Sequence, residues 1–332
     1  MEQSWSRSEY VMLTNKHKSI GILGAGAFGT ALAFAYNRDF SITLFSCFEE
    51  HVASMQQTRI NEFFKNFEIP EEIALDVTAN LGMHHYDYLF WTLPIKPTPD
   101  ILERLKSLIN GTPVIICSKG LLPDSSFICD LFQRTLTESK VGYLAGPNFA
   151  VELSMDKPSV ADIAFQSMSV SHIFAAELST KTFKLKPIDD MIGAQISGAM
   201  KNVIAIASGI AYGLGLGENT HAALLTMGIA EMERLGMSLG AKKETFYGFC
   251  GLGDLIMTAS SSNSRNTLLG MECAKGKSIG ELVQNATCEG YDTLSQVVEL
   301  AHQKGLELPI CEAVYKVFFE AQSPSIILDV FE

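Results

Sequence analysis

Three glycines with the spacing Gly24-x-Gly26-x-x-Gly29 follow the short apolar run Ser19–Leu23 and precede the alanine-rich stretch Thr30–Tyr36. A strand, a glycine turn and a helix in this order are typical of a site for the pyrophosphate of a dinucleotide. Gly24 permits the turn, Gly26 lets the backbone approach the pyrophosphate, and Gly29 lets helix and strand pack closely. The helix N-terminus favours the negative charge. A glycine-rich turn without a ligand is the alternative.

The residues after the second predicted strand, Ser41–Phe45, would contact the adenosine ribose of such a ligand. An acidic residue there favours NAD, and a basic residue favours NADP. The positions hold Ser46 and Cys47, which are neither. Glu49 and Glu50 follow in a polar stretch that predicts a solvated helix more readily than ribose ligands. Cys47 is therefore a candidate cofactor contact, and the preference between NAD and NADP stays open.

Two further loops follow predicted strands. Lys119 comes directly after the strand Pro113–Cys117, and the segment Gly146-Pro147-Asn148-Phe149 follows the strand Gly142–Ala145. Ligands of open α/β sheets bind beyond the carboxyl ends of the strands. Lys119 could therefore meet a carbonyl or a phosphate, and the second loop could line the same crevice. An ordinary surface lysine and a plain turn are the alternatives.

Lys201 lies in the stretch Ser197–Ile206, which has almost no other charge and predicts a buried helix. Burying a cation without a partner is costly, and burial favours the neutral amine. Lys201 is therefore a candidate for proton transfer. The alternative is a lysine at the edge of a helix that reaches into solvent.

Asp254 and Thr258 are four residues apart, so a helix would place them on one face. Asp254 could orient a lysine or accept a hydrogen bond from a substrate hydroxyl, or it could simply cap a helix. Arg265 and Asn266 follow in a polar segment. The planar guanidinium suits a phosphate, and the amide adds donors. A solvated loop arginine is the alternative for Arg265.

The 332 residues are 47% hydrophobic and carry a formal net charge of −12. This composition excludes global disorder, and no basic stripe for nucleic acid is visible. Seven scattered cysteines without a CxxC pair favour a reducing, cytoplasmic compartment. The seven histidines show no metal-binding spacing, so no metal is expected.

Two segments bear on membranes. Met1–Lys16 is polar and has no apolar core, so it does not resemble a signal peptide. We expect residues 1–17 to form a flexible polar leader. Ile192–Gly217 has few charges, but Lys201 near its middle favours a buried helix over a membrane span.

Strand and helix patterns alternate in the first half, which predicts parallel βαβ units. The predicted strands are Ser19–Leu23, Ser41–Phe45, Asp87–Thr92, Pro113–Cys117 and Gly142–Ala145. After Asp190, a candidate N-cap, only helical patterns appear. The fold class is therefore α/β plus all-α. The prediction is a doubly wound α/β domain over 1–190, followed by an all-helical domain over 191–332.

Several motifs occur together in one order between about Ile20 and about Ile327. They are GAGAFGTALA (24–33), SKGL (118–121), GPNFAVEL (146–153), SGAMKNVIAIASGI (197–210), GLGDLIMT (251–258), SNSRN (262–266) and CEGYDT (288–293). In this combination the chain resembles the bacterial-type NAD(P)-dependent glycerol-3-phosphate dehydrogenase family. The resemblance implies that residues 1–190 form a dinucleotide-binding Rossmann domain. It also implies that residues 191–332 form a helical substrate and catalytic domain like that of 6-phosphogluconate dehydrogenase. It also implies a cytoplasmic homodimer that supplies glycerol 3-phosphate for glycerophospholipid synthesis.

The resemblance further implies reversible hydride transfer between NAD or NADP and a phosphorylated triose. It interconverts dihydroxyacetone phosphate and sn-glycerol 3-phosphate, with no metal, nucleic acid or membrane insertion. The implied catalytic residues are Lys201, Lys119, Asp254 and Thr258, with Lys201 as the acid/base. The implied substrate contacts are Lys119, Gly146, Asn148, Lys201, Asp254, Ser264, Arg265 and Asn266. The implied cofactor contacts are Gly24, Gly26, Ala27, Phe28, Gly29, Cys47, Lys119, Ala150, Arg265, Thr287 and Glu289.

The chain departs from the family pattern at a few positions. Cys47 stands where the family often has a basic or polar residue, Asn148 where Thr or Ser is common, and His221 and Met227 where arginines are usual. The last two predict altered packing or interdomain contacts, with the chemistry retained. A β-hydroxyacid or ketopantoate-type reductase and a non-catalytic dinucleotide sensor remain the competing functions.

Overall fold

The computed structural model describes residues 18–65, 67–261, 264–284 and 288–332, so the predicted leader, 1–17, lies outside the described residues. The chain divides into two compact units. The sheet unit comprises the residues up to Ser118 together with Cys129–Leu144 and Asn148–Asp189. The helical unit comprises Lys119–Ile128, Ala145–Pro147 and Asp190–Glu332. Each unit has its own cluster of buried apolar side chains.

The sheet unit is built on one eight-stranded sheet with the strand order β3-β2-β1-β4-β5-β6-β7-β8. The strands are β1 (Ser19–Leu23), β2 (Ser41–Ser46), β3 (Ala74–Val77), β4 (Tyr88–Trp91), β5 (Val114–Ile116), β6 (Val141–Ala145), β7 (Ser159–Ala164) and β8 (Phe183–Ile188). The pairs from β3 through β6 in this order are parallel, as is β7–β8. β1 is the first strand in sequence, and the chain crosses over it to reach β4. Such a reversal of strand order is where open α/β sheets bind their ligands.

The helices of the sheet unit connect these strands. They are α1 (Ala27–Tyr36), α2 (Glu49–Thr58), α3 (Thr98–Ile109), α4 (Ile128–Thr135), α5 (Ala150–Ser154) and α6 (Met168–Leu178), with a 3₁₀ segment at Thr78–Met83. The register pairs Leu23 with Phe45 and with Trp91, so the carboxyl ends of β1, β2 and β4 lie at one edge of the sheet. This alignment brings the loops after these strands to that edge.

All five predicted strands are present, but β3, β7 and β8 were not predicted. In β8 the side chains of Phe183 and Leu185 are buried and those of Lys184 and Lys186 are exposed. This alternation is typical of a strand with one solvated face. The α/β class of the first half is confirmed.

The helical unit contains α7 (Met191–Gly213), α8 (Gly217–Ser238), α9 (Lys243–Phe246), α10 (Asp254–Ala259), α11 (Arg265–Ala274), α12 (Ile279–Gln284), α13 (Glu289–Gln303) and α14 (Pro309–Phe319). A π-helical turn covers Phe249–Gly253, and a 3₁₀ segment covers Pro324–Phe331. No strand occurs among the described residues after Asp190, as expected from the sequence. Asp190 is confirmed as the N-cap of α7, because its Oδ1 accepts a hydrogen bond from the Gly193 N–H at 2.8 Å.

The long helix α7 is buried along nearly all of its length. Small residues let neighbouring helices approach it closely. A Cβ on Gly209 would lie 2.0 Å from the Thr267 carbonyl oxygen, and a Cβ on Gly270 would lie 2.1 Å from the Ile206 oxygen. α7 and α11 therefore contact each other backbone to backbone. Of the helices that the structure describes, none is both long and apolar enough to cross a membrane.

Candidate functional site

The glycine loop joins β1 to α1, and its three glycines serve different purposes. Gly24 has a φ of +120°, and a Cβ on it would lie 2.6 Å from Thr92 Oγ1. A Cβ on Gly29 would lie 2.0 Å from the Gly24 oxygen. A Cβ on Gly26 would meet nothing within 4 Å. Gly24 and Gly29 are thus required by the fold itself, whereas Gly26 leaves open space before the helix.

The open space at Gly26 fits the pyrophosphate of a dinucleotide. Gly26 is the N-cap of α1 and has no side chain to cap it, and Ala27 and Phe28 form the first turn. Backbone N–H groups at a helix N-terminus attract anions. The predicted contacts Gly24, Gly26, Ala27, Phe28 and Gly29 therefore lie together in the turn after β1 and the first turn of α1.

A buried asparagine that the sequence analysis missed supports this loop. Asn61 is fully buried, and its Nδ2 donates to the Ala25 oxygen at 2.9 Å and to Thr30 Oγ1 at 2.7 Å. These bonds fix the loop against the start of α1. Asn61 lies 36 residues from Ala25 in a segment without a motif, so no local signal could have identified it.

The end of β2 continues this hydrogen-bond network. Ser46 is buried, and its Oγ lies 3.0 Å from His51 Nδ1. His51 Nε2 lies 3.2 Å from Asn61 Oδ1. Cys47 is exposed. Glu49 and Glu50 are exposed in the first turn of α2, as the polar pattern predicted.

Two other predicted contacts lie in the sheet unit. Asn148 Nδ2 donates to the Val160 oxygen at 3.0 Å, which anchors the loop after β6 to β7. Ala150 is the first residue of α5, and α5 packs against α1. Ala150 is therefore placed beside the helix that follows the glycine loop, while the substrate contact of Asn148 remains a prediction.

In the helical unit, three predicted catalytic residues meet. Lys201 is 8% exposed, and its Nζ donates to Oδ1 of the fully buried Asp254 at 2.6 Å. Thr258 Oγ1 lies 3.4 Å from the same oxygen. Lys201 therefore does not reach into solvent, and Asp254 does not act as a helix cap. It is a buried ion pair between α7 and the start of α10.

The backbone just before Asp254 is tightly packed. The π-helical turn Phe249–Gly253 passes close to α9, because a Cβ on Gly251 would lie 2.2 Å from the Phe246 oxygen. Among the described residues, Oδ2 of Asp254 has no hydrogen-bond partner. One oxygen of the carboxylate thus holds Lys201, and the other is a buried acceptor.

A network of hydrogen bonds between polar side chains lies next to this pair, and the sequence analysis did not predict the network. Asn266 Nδ2 donates to Asn202 Oδ1 at 3.0 Å, and Asn202 Nδ2 donates to Glu289 Oε2 at 3.2 Å. The Gly290 N–H donates to Asn266 Oδ1 at 3.0 Å. Asn202, to which no role was assigned, thereby joins α7, α11 and α13. Asn202 is the neighbour of Lys201 in α7. Its hydrogen bonds therefore connect the predicted contacts Asn266 and Glu289 to the helix that carries Lys201.

The remaining predicted residues of the helical unit are placed as follows. Ser264 caps α11 by accepting from the Thr267 N–H at 3.2 Å, and Arg265 is the exposed first residue of that helix. Lys119 and Gly146 are partly exposed and lie in the two short segments of the unit. Thr287 lies outside the described residues.

His221 occupies one of the positions where the sequence departs from the family pattern. Its Nδ1 lies 2.8 Å from Ser208 Oγ and its Nε2 lies 3.1 Å from Ser260 Oγ. Burial lowers the pKa of this imidazole, although nearby Glu218 acts in the opposite direction. A neutral imidazole therefore fills this place and links α7, through Ser208, to the residue that follows α10.

Comparison with known proteins places the chain in a family. Residues 19–171 match the model of the NAD-dependent glycerol-3-phosphate dehydrogenase N-terminus, and residues 190–329 match that of its C-terminus. A glycerol-3-phosphate dehydrogenase [NAD(P)+] from Hyphomonas neptunium is 38% identical over 92% of each chain. One from Maricaulis maris is 36% identical over 91% of this chain and 92% of that protein.

A solved structure agrees with these matches. The crystal structure of glycerol-3-phosphate dehydrogenase from Coxiella burnetii superposes with a TM-score of 0.90 at 31% identity, covering 95% of this chain and 99% of that chain. The similarity thus extends over both units. The chain belongs to the NAD-dependent glycerol-3-phosphate dehydrogenase family.

Proposed function

We propose that this chain interconverts dihydroxyacetone phosphate and sn-glycerol 3-phosphate with a nicotinamide dinucleotide as hydride carrier. The observation that carries the proposal is the buried pair of Lys201 Nζ and Asp254 Oδ1 at 2.6 Å in a chain of this family. A lysine held by a buried carboxylate is suited to proton transfer at a fixed position. The relatives from Hyphomonas neptunium and Maricaulis maris carry the name of this activity.

The chemistry requires a proton at the oxygen of the reacting carbon. A bound nicotinamide supplies or accepts the hydride at C2 of the substrate. The Lys201 ammonium donates a proton to the C2 oxygen as the ketone is reduced, and the neutral amine takes it back in the direction of oxidation. Asp254 accepts one of the three ammonium hydrogens and so fixes the position of Nζ.

Substrate recognition rests on the other cations and polar groups that the family resemblance implies. The Arg265 guanidinium is exposed and planar, which suits the substrate phosphate. Lys119 would meet the same anion or the reacting carbonyl. Gly146, Asn148, Ser264 and Asn266 complete the proposed substrate contacts. An acidic protein can bind an anionic substrate if Lys and Arg side chains converge at one site.

The proposed dinucleotide contacts fall into two groups. In the sheet unit they are Gly24, Gly26, Ala27, Phe28, Gly29, Cys47 and Ala150. In the helical unit they are Lys119, Arg265, Thr287 and Glu289. We also infer a cytoplasmic homodimer whose product enters glycerophospholipid synthesis.

The test follows the absorbance of reduced nicotinamide after mixing purified protein with dihydroxyacetone phosphate. Wild-type protein should oxidise the dinucleotide, and Lys201→Met should lower kcat by about 10²–10⁴-fold. Lys316→Met is the matched control, because it removes an exposed lysine of the same unit. Circular dichroism and dinucleotide binding would show whether the Lys201 variant is folded.

Two results would overturn the proposal. One is wild-type protein that binds dinucleotide without turning over dihydroxyacetone phosphate, while ketopantoate or another 2-oxo acid is reduced. The other is a folded Lys201→Met variant with wild-type kcat.

A further inference from the structure

The C-terminal end of the helix that carries Asp254 and Thr258 is held by side chains outside the proposed catalytic set. This helix, α10, covers the six residues Asp254–Ala259, and a helix of this length is not stable by itself. The last carbonyl groups of a helix have no partner within the helix. Contacts with neighbouring helices must therefore fix α10, and with it the carboxylate that holds Lys201.

Two of the carbonyl oxygens at this end accept hydrogen bonds from buried hydroxyl groups. Ser208 Oγ donates to the Ala259 oxygen at 2.9 Å, and Thr267 Oγ1 donates to the Thr258 oxygen at 2.9 Å. Ser208 lies seven residues after Lys201 on α7. It is therefore on the same side of that helix, about 10 Å further along. α7 thus holds α10 at two points, through Lys201 at its start and through Ser208 at its end.

His221 on α8 completes the attachment at Ser208. Its Nδ1 lies 2.8 Å from Ser208 Oγ, and its Nε2 lies 3.1 Å from Ser260 Oγ. Ser208 has one hydroxyl hydrogen and donates it to Ala259, so toward His221 it can only accept. In the neutral imidazole, Nδ1 therefore carries the hydrogen, and Nε2 accepts the hydrogen of Ser260.

The result is a chain of hydrogen bonds that begins and ends at neighbouring residues. Ser260 donates to His221, and His221 donates to Ser208. Ser208 in turn donates to Ala259, the residue before Ser260. The imidazole is 7% exposed and also faces the ring of Tyr212 on α7, with the ring centroids 4.7 Å apart. Packing and hydrogen bonding together therefore hold His221 against the end of α10.

We propose that His221 is a positioning residue for proton transfer by Lys201, because it helps to hold α10 and hence the Asp254 carboxylate in place. It acts through Ser208, and contact with substrate or dinucleotide is no part of this role. An arginine, which the family pattern usually has here, could not accept the hydrogen of Ser260. The inference rests on the proposed function, because it concerns the proton-transfer step of that reaction.

Variants separate hydrogen bonding from packing. His221→Phe keeps an aromatic ring beside Tyr212 and removes both hydrogen bonds. His221→Asn keeps an amide N–H near the place of Nδ1, so it can still donate to Ser208. Ser208→Ala removes the donor to Ala259 directly. His302→Phe is the matched control, because it makes the same change at an exposed histidine of the helical unit.

Hydrogen–deuterium exchange of the segment 254–260 reports on α10 without substrate. His221→Phe and Ser208→Ala should raise its exchange rate at least about tenfold, because lost hydrogen bonds favour local opening. His221→Asn and the control His302→Phe should keep the wild-type rate. This measurement does not depend on turnover.

Steady-state rates with dihydroxyacetone phosphate and saturating NADH test the effect on the reaction. In variants shown to be folded by circular dichroism, His221→Phe should lower kcat about tenfold or more, since a displacement of about 1 Å can cost about 100-fold. His221→Asn should recover most of kcat. The dissociation constant of NADH should not change, because no proposed dinucleotide contact lies on α10. The double variant His221→Phe/Ser208→Ala should be no slower than Ser208→Ala, because both residues act through one attachment.

The inference is overturned if folded His221→Phe keeps either the wild-type kcat or the wild-type exchange of 254–260. It is also overturned if His221→Asn is as slow as His221→Phe, or if the two losses multiply in the double variant. Failure of the proposed function would show differently. In that case wild-type protein would not turn over dihydroxyacetone phosphate, while the exchange of 254–260 would still respond to His221→Phe.

Discussion

The glycine loop of the sheet unit and the Lys201–Asp254 pair of the helical unit are built on opposite principles. At the loop, the backbone and open space around Gly26 face the proposed ligand, and neutral side chains behind it hold the loop in place. At the pair, the charged side chains themselves are buried, and each depends on the other. Function and stability can therefore be separated at the loop, whereas at the pair they are coupled.

The largest expected effect is the loss of one partner of the buried pair. Asp254→Leu leaves the Lys201 ammonium without its carboxylate, which should lower the free energy of unfolding by about 3–5 kcal/mol. The double variant Lys201→Met/Asp254→Leu should recover most of this loss, because no buried charge remains. Urea denaturation of the four proteins of this cycle is the measurement. Additive losses would show that the pair is not coupled in stability.

The glycine loop should give the opposite result. Gly26→Ala should leave stability unchanged or raise it by up to about 1 kcal/mol, since the added Cβ meets nothing. It should nevertheless weaken NADH binding about tenfold or more, because the methyl group fills the space that the pyrophosphate needs. Gly29→Ala should cost about 1–3 kcal/mol, because its Cβ would overlap the Gly24 oxygen. Thermal unfolding and NADH titration of both variants test this contrast, and a destabilised Gly26→Ala would contradict it.

The support behind the loop should show an intermediate behaviour. Asn61→Ala leaves the Ala25 oxygen and Thr30 Oγ1 without their donor, which should cost about 1–3 kcal/mol. NADH binding should weaken as well, because the loop is no longer held against α1. The control Asn80→Ala removes a 2.8 Å bond to Asp76 at the partly exposed start of the 3₁₀ segment and should spare NADH binding. Unchanged NADH affinity in Asn61→Ala would remove this asparagine from the site.

The smallest effect concerns His221, which burial keeps neutral. The pKa of His221 is lower in the folded protein than in the unfolded chain. At a pH between these two pKa values, the unfolded chain therefore binds more protons than the folded protein. His221 therefore contributes its full stabilisation at pH values above its pKa in the unfolded chain. This stabilisation is lost as the pH falls from that pKa toward the lower pKa of the folded protein. The melting temperature of wild-type protein should fall more steeply between about pH 7.5 and about pH 5.5 than that of His221→Gln. His172→Gln, which removes an exposed histidine, should follow the wild type; a His221 variant with the same slope would contradict the assignment.

The sequence predicted the elements that carry a local signal. The glycine spacing marked the β1–α1 turn, and the near absence of charge around Lys201 marked a buried helix. Two of the missed strands differ in their local signal. β3 is short and contains a charged residue. β8 has the alternation of a strand, with lysines on its exposed face and apolar residues on its buried face, and the sequence analysis overlooked it. Whether a short segment such as β3 pairs with neighbouring strands depends on its position in the sheet, and the local sequence pattern does not specify that position.

The sequence by itself determined the glycine turn after β1, the five strands with strong local patterns, the all-helical character after Asp190 and the residue types available for chemistry, because these depend on periodicity and backbone preference over a few residues. Only the tertiary structure decided which side chains meet. Lys201 and Asp254 are 53 residues apart, and Asn202 and Glu289 are 87 apart. The second pair comes together because Gly290 lets α13 approach the backbone of α7, where a Cβ on Gly290 would lie 2.6 Å from the Asn202 oxygen. Packing at that distance is a property of the assembled helices, and no single segment specifies it.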